Sequence, residues 1–261
     1  MMTSVIADFR DSLRRYRFWL VFGVSDATNA FRRTYLGGLF LTLNSLLRIA
    51  VMYFLFRDSL GSTDPNYFGY VALGLPLFSI YSASVSQGYS ILMRNKAIIQ
   101  NINMPYFAYI FRFMTDILYK FGFSSLVFLT YIAFHLPIVV PTLHYLVLGI
   151  ILALLMVVSI ALFCMVIAAF FPNLFEVLNA GMGIMFFATP VFWHPGDRGG
   201  IRGLLATYNP FAHMLAVVRE PALGRVPDLI SIGVCVAIIV VFGTAAIYLF
   251  KISRPWLIYR L

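Results

Sequence analysis

Six long apolar stretches, separated by polar or charged segments, divide the chain: Leu36–Phe56, Tyr67–Tyr89, Phe107–Phe134, Leu143–Phe171, Phe175–Trp193 and Leu229–Phe250. A helix rises about 1.5 Å per residue, so roughly 20 apolar residues cross the hydrocarbon of a bilayer. Membrane-barrel strands would instead read as segments of about ten residues with alternating polarity. The pattern therefore predicts an all-α integral membrane protein with six transmembrane helices.

Two segments outside these stretches have patterns of their own. Over residues 5–22, Ile6, Phe9, Leu13, Tyr16 and Leu20 recur at spacings of three and four, while Asp8, Arg10, Asp11, Arg14, Arg15 and Arg17 fill most other faces. This is the pattern of an amphipathic helix in the membrane interface, or of one packed on the protein's own cytoplasmic surface. We divide the chain accordingly into a cytoplasmic interface segment, 1–35, and a membrane domain, 36–261. The second segment is the loop 194–228, which opens on a turn-rich run from His194 to Gly200 and then reaches Asn209-Pro210. Asn as a cap and Pro in the first turn predict a short helix there. Its apolar residues Phe211, Met214, Leu215 and Val218 predict re-entrant external helices between spans five and six.

Composition narrows the class. The chain has 261 residues, is 61% hydrophobic and only 11% charged, and has a mean hydropathy of +0.89. Soluble domains are about 45–50% apolar and about 25% charged, so this excess needs lipid as solvent. Residues 1–35 do not read as a signal peptide, because Asp8, Asp11, Asp26 and several arginines interrupt any early apolar region. Cys164 and Cys235 lie singly in predicted spans, without metal or redox spacing, and read as small buried residues.

The net charge of +9 would suggest nucleic acid in a soluble protein, but here the basic residues flank the spans. Arg10 to Arg33 precede span one, Arg94 and Lys96 follow span two, and Lys251, Arg254 and Arg260 follow span six. The positive-inside bias places both termini in the cytoplasm. The weak point is Pro172–Glu176, a cytoplasmic loop on this scheme with no basic residue.

Candidate chemistry is sparse. Arg48 sits in the middle of span one, where a charge costs roughly 2.5–3.5 kcal/mol on insertion scales. It reads as an anion contact on a translocation path, or as half of a buried structural pair, or as a charge carried by a tilted helix. Arg112, Asp116 and Lys120 share one face of helix three and read as a structural ladder in its cytoplasmic turns rather than a proton relay. Asn103 and Pro105 fit the start of that helix. Gly181 and Gly183 would allow close helix approach, and Pro190 would end or kink span five. His135, His144, His194 and His213 lie near the predicted external face as interface histidines. There is no G-x-x-x-x-G-K-[ST] phosphate loop, no H-E-x-x-H and no Gly-x-Ser-Gly. Spans two to six lack a mid-membrane carboxylate, which argues against a proton- or sodium-driven carrier.

Several short motifs occur in a telling order. Ala30-Phe-Arg-Arg-Thr-Tyr-Leu-Gly-Gly-Leu-Phe-Leu-Thr-Leu-Asn44 leads into span one, and Phe170-Phe-Pro-Asn-Leu-Phe-Glu176 joins spans four and five. Thr189-Pro190-Val191 ends span five, and Tyr208-Asn209-Pro210 is followed by Arg219-Glu220. Together these resemble the permease subunit of type-2 ABC exporters of polysaccharides, the O-antigen, capsule and teichoic acid export family. Phe40 stands where Trp is usual, and Pro172 and Asn173 replace Arg and Asp.

The resemblance implies a homodimer of this permease with two copies of a separate ABC ATPase in the cell inner membrane. ATP and Mg would be held by the partner, and this chain would bind no cofactor and catalyse no hydrolysis itself. The substrate would be a lipid-diphosphate-linked polysaccharide, O-antigen first and capsule or teichoic acid otherwise. Spans one and five would line the path, with Arg48, Tyr53, Phe56, Phe186, Phe187 and Phe192 as its residues. Arg14, Arg15, Arg94, Lys96, Ile98 and Ile102 would contact the ATPase. Asn209, Pro210, Phe211 and Arg219 would belong to the external gate. The alternatives are a type-2 ABC permease for a drug or lipid and, in a different class, a membrane-embedded enzyme or channel.

Overall fold

The computed structural model describes residues 2–29, 31, 35–57, 65–102, 104–134, 140–171, 173–194 and 200–254. Residues 32–34 of the motif before span one, Asn103, His135, Pro172, the turn 195–199 and Arg260 lie outside the described residues. Everything regular among the described residues is helical. The helices are α1 (Met2–Arg14), α2 (Tyr16–Asn29), α3 (Leu39–Phe56), α4 (Tyr67–Tyr89), α5 (Ile91–Arg94), α6 (Lys96–Asn101) and α7 (Phe107–Ser124). They continue as α8 (Leu126–Phe134), α9 (Leu143–Ala168), α10 (Leu174–Ala188), α11 (Gly200–Tyr208), α12 (Pro210–Ala222) and α13 (Leu229–Ser253).

Four of these, α3, α4, α9 and α13, are long and apolar enough to cross a membrane. A fifth candidate is the pair α7 and α8, bent by 43°. The stretch Phe107–Phe134 is thus two helices rather than one. Its break falls at Ser125, whose hydroxyl donates to the Phe121 and Gly122 carbonyls at 2.8 and 3.1 Å. A side chain bonding into the backbone ladder is a common cause of such a kink. The fifth stretch is shorter than its sequence suggests. α10 has 15 residues, about 22 Å of rise, and the chain is extended from Thr189. Thr189 precedes Pro190, and a residue before proline is pushed out of the helical region.

α4 is the axis of the fold. Most of its residues are buried, and α3, α7, α8, α9, α10 and α12 pack on it. Its tyrosines reach outward to carbonyls of other elements. Tyr67 donates to Phe192, Tyr70 to Pro190, Tyr81 to Met214 and Tyr89 to Phe171. Irregular backbone in an apolar medium needs such donors. On the other flank α9 packs against α12 and α13. Gly149 is obligatory there, since a Cβ would stand 2.0 Å from the Val217 carbonyl oxygen. Cys164 and Cys235 are buried.

The N-terminal stripe does not form one helix. The chain breaks at Arg15, where the Trp19 indole takes the Ser12 carbonyl at 3.1 Å and disturbs the helical ladder. α1 docks through its polar side. Asp8 is buried, accepts from the Phe107 amide at 3.1 Å and pairs with Arg254 at 3.0 Å. Asp8 thereby satisfies an amide of the first turn of α7. Burial raises the Asp8 carboxyl above its ordinary value, against the lowering effects of the Phe107 amide and Arg254. The stripe itself is left outside: Ile6, Phe9, Leu13, Tyr16 and Leu20 are all exposed. α2 stands against α7 with Gly23 pressed on Thr115.

Candidate functional site: a polar groove with two arginines

A cavity of about 880 Å³ lies between α3, α4 and α10. α3 contributes Asn44, Ser45 and Arg48; α4 contributes Ser79, Ser82, Ser86 and Gln87; α10 contributes Asn179 and Phe186. Apolar side chains complete the walls, among them Val51, Met52, Phe78 and Met182. The polar residues form helical stripes. Asn44 and Arg48 are four apart on α3, and Ser79, Ser82 and Ser86 follow at three and seven on α4, so each set shares a face. The Ser79 and Ser86 hydroxyls donate back to the Leu75 and Ser82 carbonyls, which leaves their oxygens as acceptors toward the groove.

The α4 C-terminal end of the groove carries Arg94, which also lines a second cavity of about 310 Å³. There the other lining charges are paired. Arg112 forks onto Asp26 at 2.6 and 2.8 Å and donates to Asn95 at 2.8 Å, and Lys120 bonds Asp116 at 2.8 Å. Arg112 thus pairs across to α2 and not along its own helix with Asp116. Arg48, by contrast, has no ion pair or hydrogen bond among the described residues, so the structural-pair explanation of that charge finds no partner there.

The other end of the groove is closed by aromatic rings. Phe186 meets Phe78 at 5.4 Å and Phe192 at 5.5 Å; Phe192 meets Phe56 at 4.9 Å and Phe187 at 6.2 Å; Phe78 meets Phe211 at 6.0 Å. Of the six path residues, Arg48 and Phe186 line the cavity. Phe56, Phe187 and Phe192 belong to the cluster over it, and Tyr53 stacks on Tyr67.

Phe192 is positioned by the segment Thr189–Trp193, which lies against α4. Gly74 makes room, since a Cβ there would stand 2.7 Å from the Val191 carbonyl oxygen. Four side chains hold the segment. Tyr70 donates to the Pro190 and Trp193 carbonyls at 2.8 and 3.2 Å, and Tyr67 to that of Phe192. Arg219 donates to Pro190 at 2.7 Å, with its guanidinium 3.6 Å from the Tyr70 ring centre. Asn209 caps α12 through Phe211 and donates to Thr189 Oγ1 at 2.9 Å. Asn209 and Arg219, expected in an external gate, are therefore braces of the α10 tail, with Arg219 only 3% exposed. Pro210 opens α12 as expected.

No family model matches the chain, and no curated protein matches it.

The residues expected at an ATPase face are partly gathered. Arg14, Arg15, Arg94, Lys96 and Ile102 are exposed, and Ile98 is half-buried. Arg15 donates to the Met104 sulfur at 2.9 Å, which joins the α1–α2 break to the segment after α6. Gly181 and Gly183 play no part in close packing within the chain, since a Cβ on either would have nothing within 4 Å. α10 packs chiefly on α4 and leaves Val177, Ile184 and Phe187 bare. Sequence reasoning missed Tyr67, Tyr70 and the groove's Ser, Asn and Gln residues. The helical spacing of polar residues within apolar stretches was the available signal for the groove.

Proposed function

We propose that this chain is the membrane-spanning subunit of an ATP-driven type-2 ABC exporter that carries a lipid-diphosphate-linked polysaccharide to the outer face of the membrane. The observation that carries the reading is the groove of about 880 Å³ lined by Arg48, Arg94 and a set of hydroxyl and amide side chains. An arginine inside a membrane span faces water or an anion, and guanidinium binds phosphate through paired hydrogen bonds. The Ser, Asn and Gln side chains suit sugar hydroxyls, and the apolar wall suits a lipid chain.

On this reading α10 and its extended tail form a span, so the chain crosses six times with both termini in the cytoplasm. α11 and α12 are the re-entrant external helices. The exposed stripe of α1 lies in the cytoplasmic interface. A second copy meets the bare side of α10, where Gly181 and Gly183 permit close approach, and two separate ATPase subunits dock on α1 and on α5–α6. The cargo is O-antigen, or else capsule or teichoic acid, and the membrane is the cell inner membrane.

The test is purification of the tagged chain. An ATPase with a phosphate loop should come with it, and its activity should depend on this chain. Deletion of the gene should leave lipid-linked polymer inside the cell; unchanged surface glycan overturns the proposal. Arg48→Ala should fold and assemble yet lose export, and normal export would remove its role as an anion contact.

A further inference from the structure

The two cavities, about 880 and 310 Å³, share two lining side chains, Gln87 and Arg94. Gln87 lies in the last turn of α4 and Arg94 ends α5. The elbow between them is fixed by Ser90, whose amide and hydroxyl each donate to the Gln87 carbonyl at 3.0 Å. The polar ends of both side chains are unused. Gln87 Oε1 is fully buried and accepts no hydrogen bond among the described residues. The Arg94 guanidinium makes no ion pair or hydrogen bond among them either.

A buried amide oxygen without a donor is costly. The fold supplies donors to the buried carbonyls of the α10 tail but none among the described residues to this atom. A ligand hydroxyl entering the groove can supply that donor, and the surroundings restrict its charge. The smaller cavity holds Arg94, Arg112 and Lys120 against Asp26 and Asp116, and these carboxylates are engaged by Arg112 and Lys120. An ammonium donor would enter beside three cations. A neutral hydroxyl meets no such repulsion, and an anionic oxygen next to it would reach Arg94.

We infer that Gln87 and Arg94 form a binding point, at the junction of the two cavities, for a hydroxyl-bearing phosphate ester of the sugar phosphate class. Gln87 Oε1 accepts from a sugar hydroxyl, and Arg94 donates to the phosphate. The inference rests on reading the larger cavity as the export path and places the recognition of the phosphorylated sugar end at its α4 C-terminal mouth. That chemistry is shared by a lipid-linked sugar phosphate and a free one.

The test uses the purified full chain in lipid nanodiscs, without ATPase. The probes are farnesyl diphosphate, farnesyl-diphosphate-N-acetylglucosamine and free N-acetylglucosamine 1-phosphate, followed by titration calorimetry. Gln87→Leu should weaken the sugar-bearing lipid by about tenfold, the worth of one neutral hydrogen bond, and leave farnesyl diphosphate unchanged. Arg94→Gln should weaken both. Binding of the free sugar phosphate by the wild type would point to a free ligand, and its absence beside tight binding of the lipid to a lipid-linked one; both support the site. No binding of either sugar probe, or an equal response of all probes to Gln87→Leu, overturns the inference. Gln87→Asn, which withdraws the acceptor by one methylene, replaces Gln87→Leu if that variant does not fold. Loss of the ATPase partner would appear only in the purification experiment, so the two readings fail separately.

Discussion

Tyr70→Phe removes one oxygen from the middle of the fold and should loosen the tail of α10. The Tyr70 hydroxyl lies 2.8 Å from the Pro190 carbonyl and 3.2 Å from that of Trp193. Pro190 keeps a second donor, Arg219 Nη1, at 2.7 Å. Trp193 keeps none among the described residues, so one buried carbonyl is orphaned, at about 1–3 kcal/mol. Arg219→Met has the complementary effect, since Pro190 then keeps only Tyr70. In the double variant Pro190 loses both donors, and the combined loss should exceed the sum of the single ones by about 1 kcal/mol. The assay is unfolding in mixed micelles titrated with a denaturing detergent and followed by tryptophan fluorescence, with exposed Tyr248→Phe as control. A Tyr70→Phe change below about 0.5 kcal/mol, the range of ordinary surface substitutions, or strict additivity with Arg219→Met, would refute the brace.

Three other outcomes follow from packing and charge. Gly74→Ala places a methyl 2.7 Å from the Val191 carbonyl oxygen, and should destabilise by about 1–3 kcal/mol in the same micelle titration; a neutral result would mean that the segment does not lie on α4. Arg112→Ala leaves Asp26 and Asn95 without their shared donor and should speed amide exchange across Asn95–Ile99 by about tenfold, with Arg112→Lys, one point contact in place of a fork, in between; unchanged exchange in both variants would dissociate that elbow from α2. The Asp8 carboxyl, raised by burial, makes the docking of α1 strongest below the ordinary carboxylate value of about 4 and weaker as pH rises through the raised value. Exchange at the Phe107 amide, corrected for its intrinsic rate, should quicken over that window in the wild type and stay flat in Asp8→Asn; identical profiles would exclude Asp8 as the cause.

The helices and their order were legible because apolar length alone decides them. α3, α4, α9 and α13 begin and end close to where hydropathy places them, and Asn209-Pro210 marks the start of α12. What was not legible depends on partners remote in sequence. The break at Arg15 needs Trp19 to take the Ser12 carbonyl, and an amide of the first turn of α7 is satisfied by Asp8, 99 residues away. The end of α10 at Ala188 was legible in part, since Pro190 marked an end or kink of span five and Thr189 precedes it. The braces Tyr67 and Tyr70 look like ordinary interfacial tyrosines until Thr189–Trp193 is seen to be extended beside them. Arg48 was visible as an anomaly in an apolar stretch; the groove it faces required α4 and α10 to be placed.

The contrast among the arginines is the strongest argument for a ligand. Arg112 is spent on Asp26 and Asn95, Arg219 on the α10 tail and Tyr70, and Arg254 on Asp8. Each ties together segments far apart in sequence, and each is explained by the fold. Arg48 and Arg94 tie nothing among the described residues, yet both face the same groove. A structural arginine removed from its partners leaves a buried charge or carbonyl unpaired, so its loss should be felt in stability. Removal of Arg48 or Arg94 breaks no hydrogen bond or ion pair of the side chain among the described residues, and Asp116, which feels the Arg94 charge, keeps Lys120; for Arg48 it also removes the cost of holding a charge at membrane depth. Arg48→Ala and Arg94→Gln should therefore be as stable as the wild type while losing ligand, whereas Arg219→Met and Arg112→Ala lose stability first. That opposite ordering of stability and binding separates a groove built for an anionic cargo from one that is merely a gap between helices.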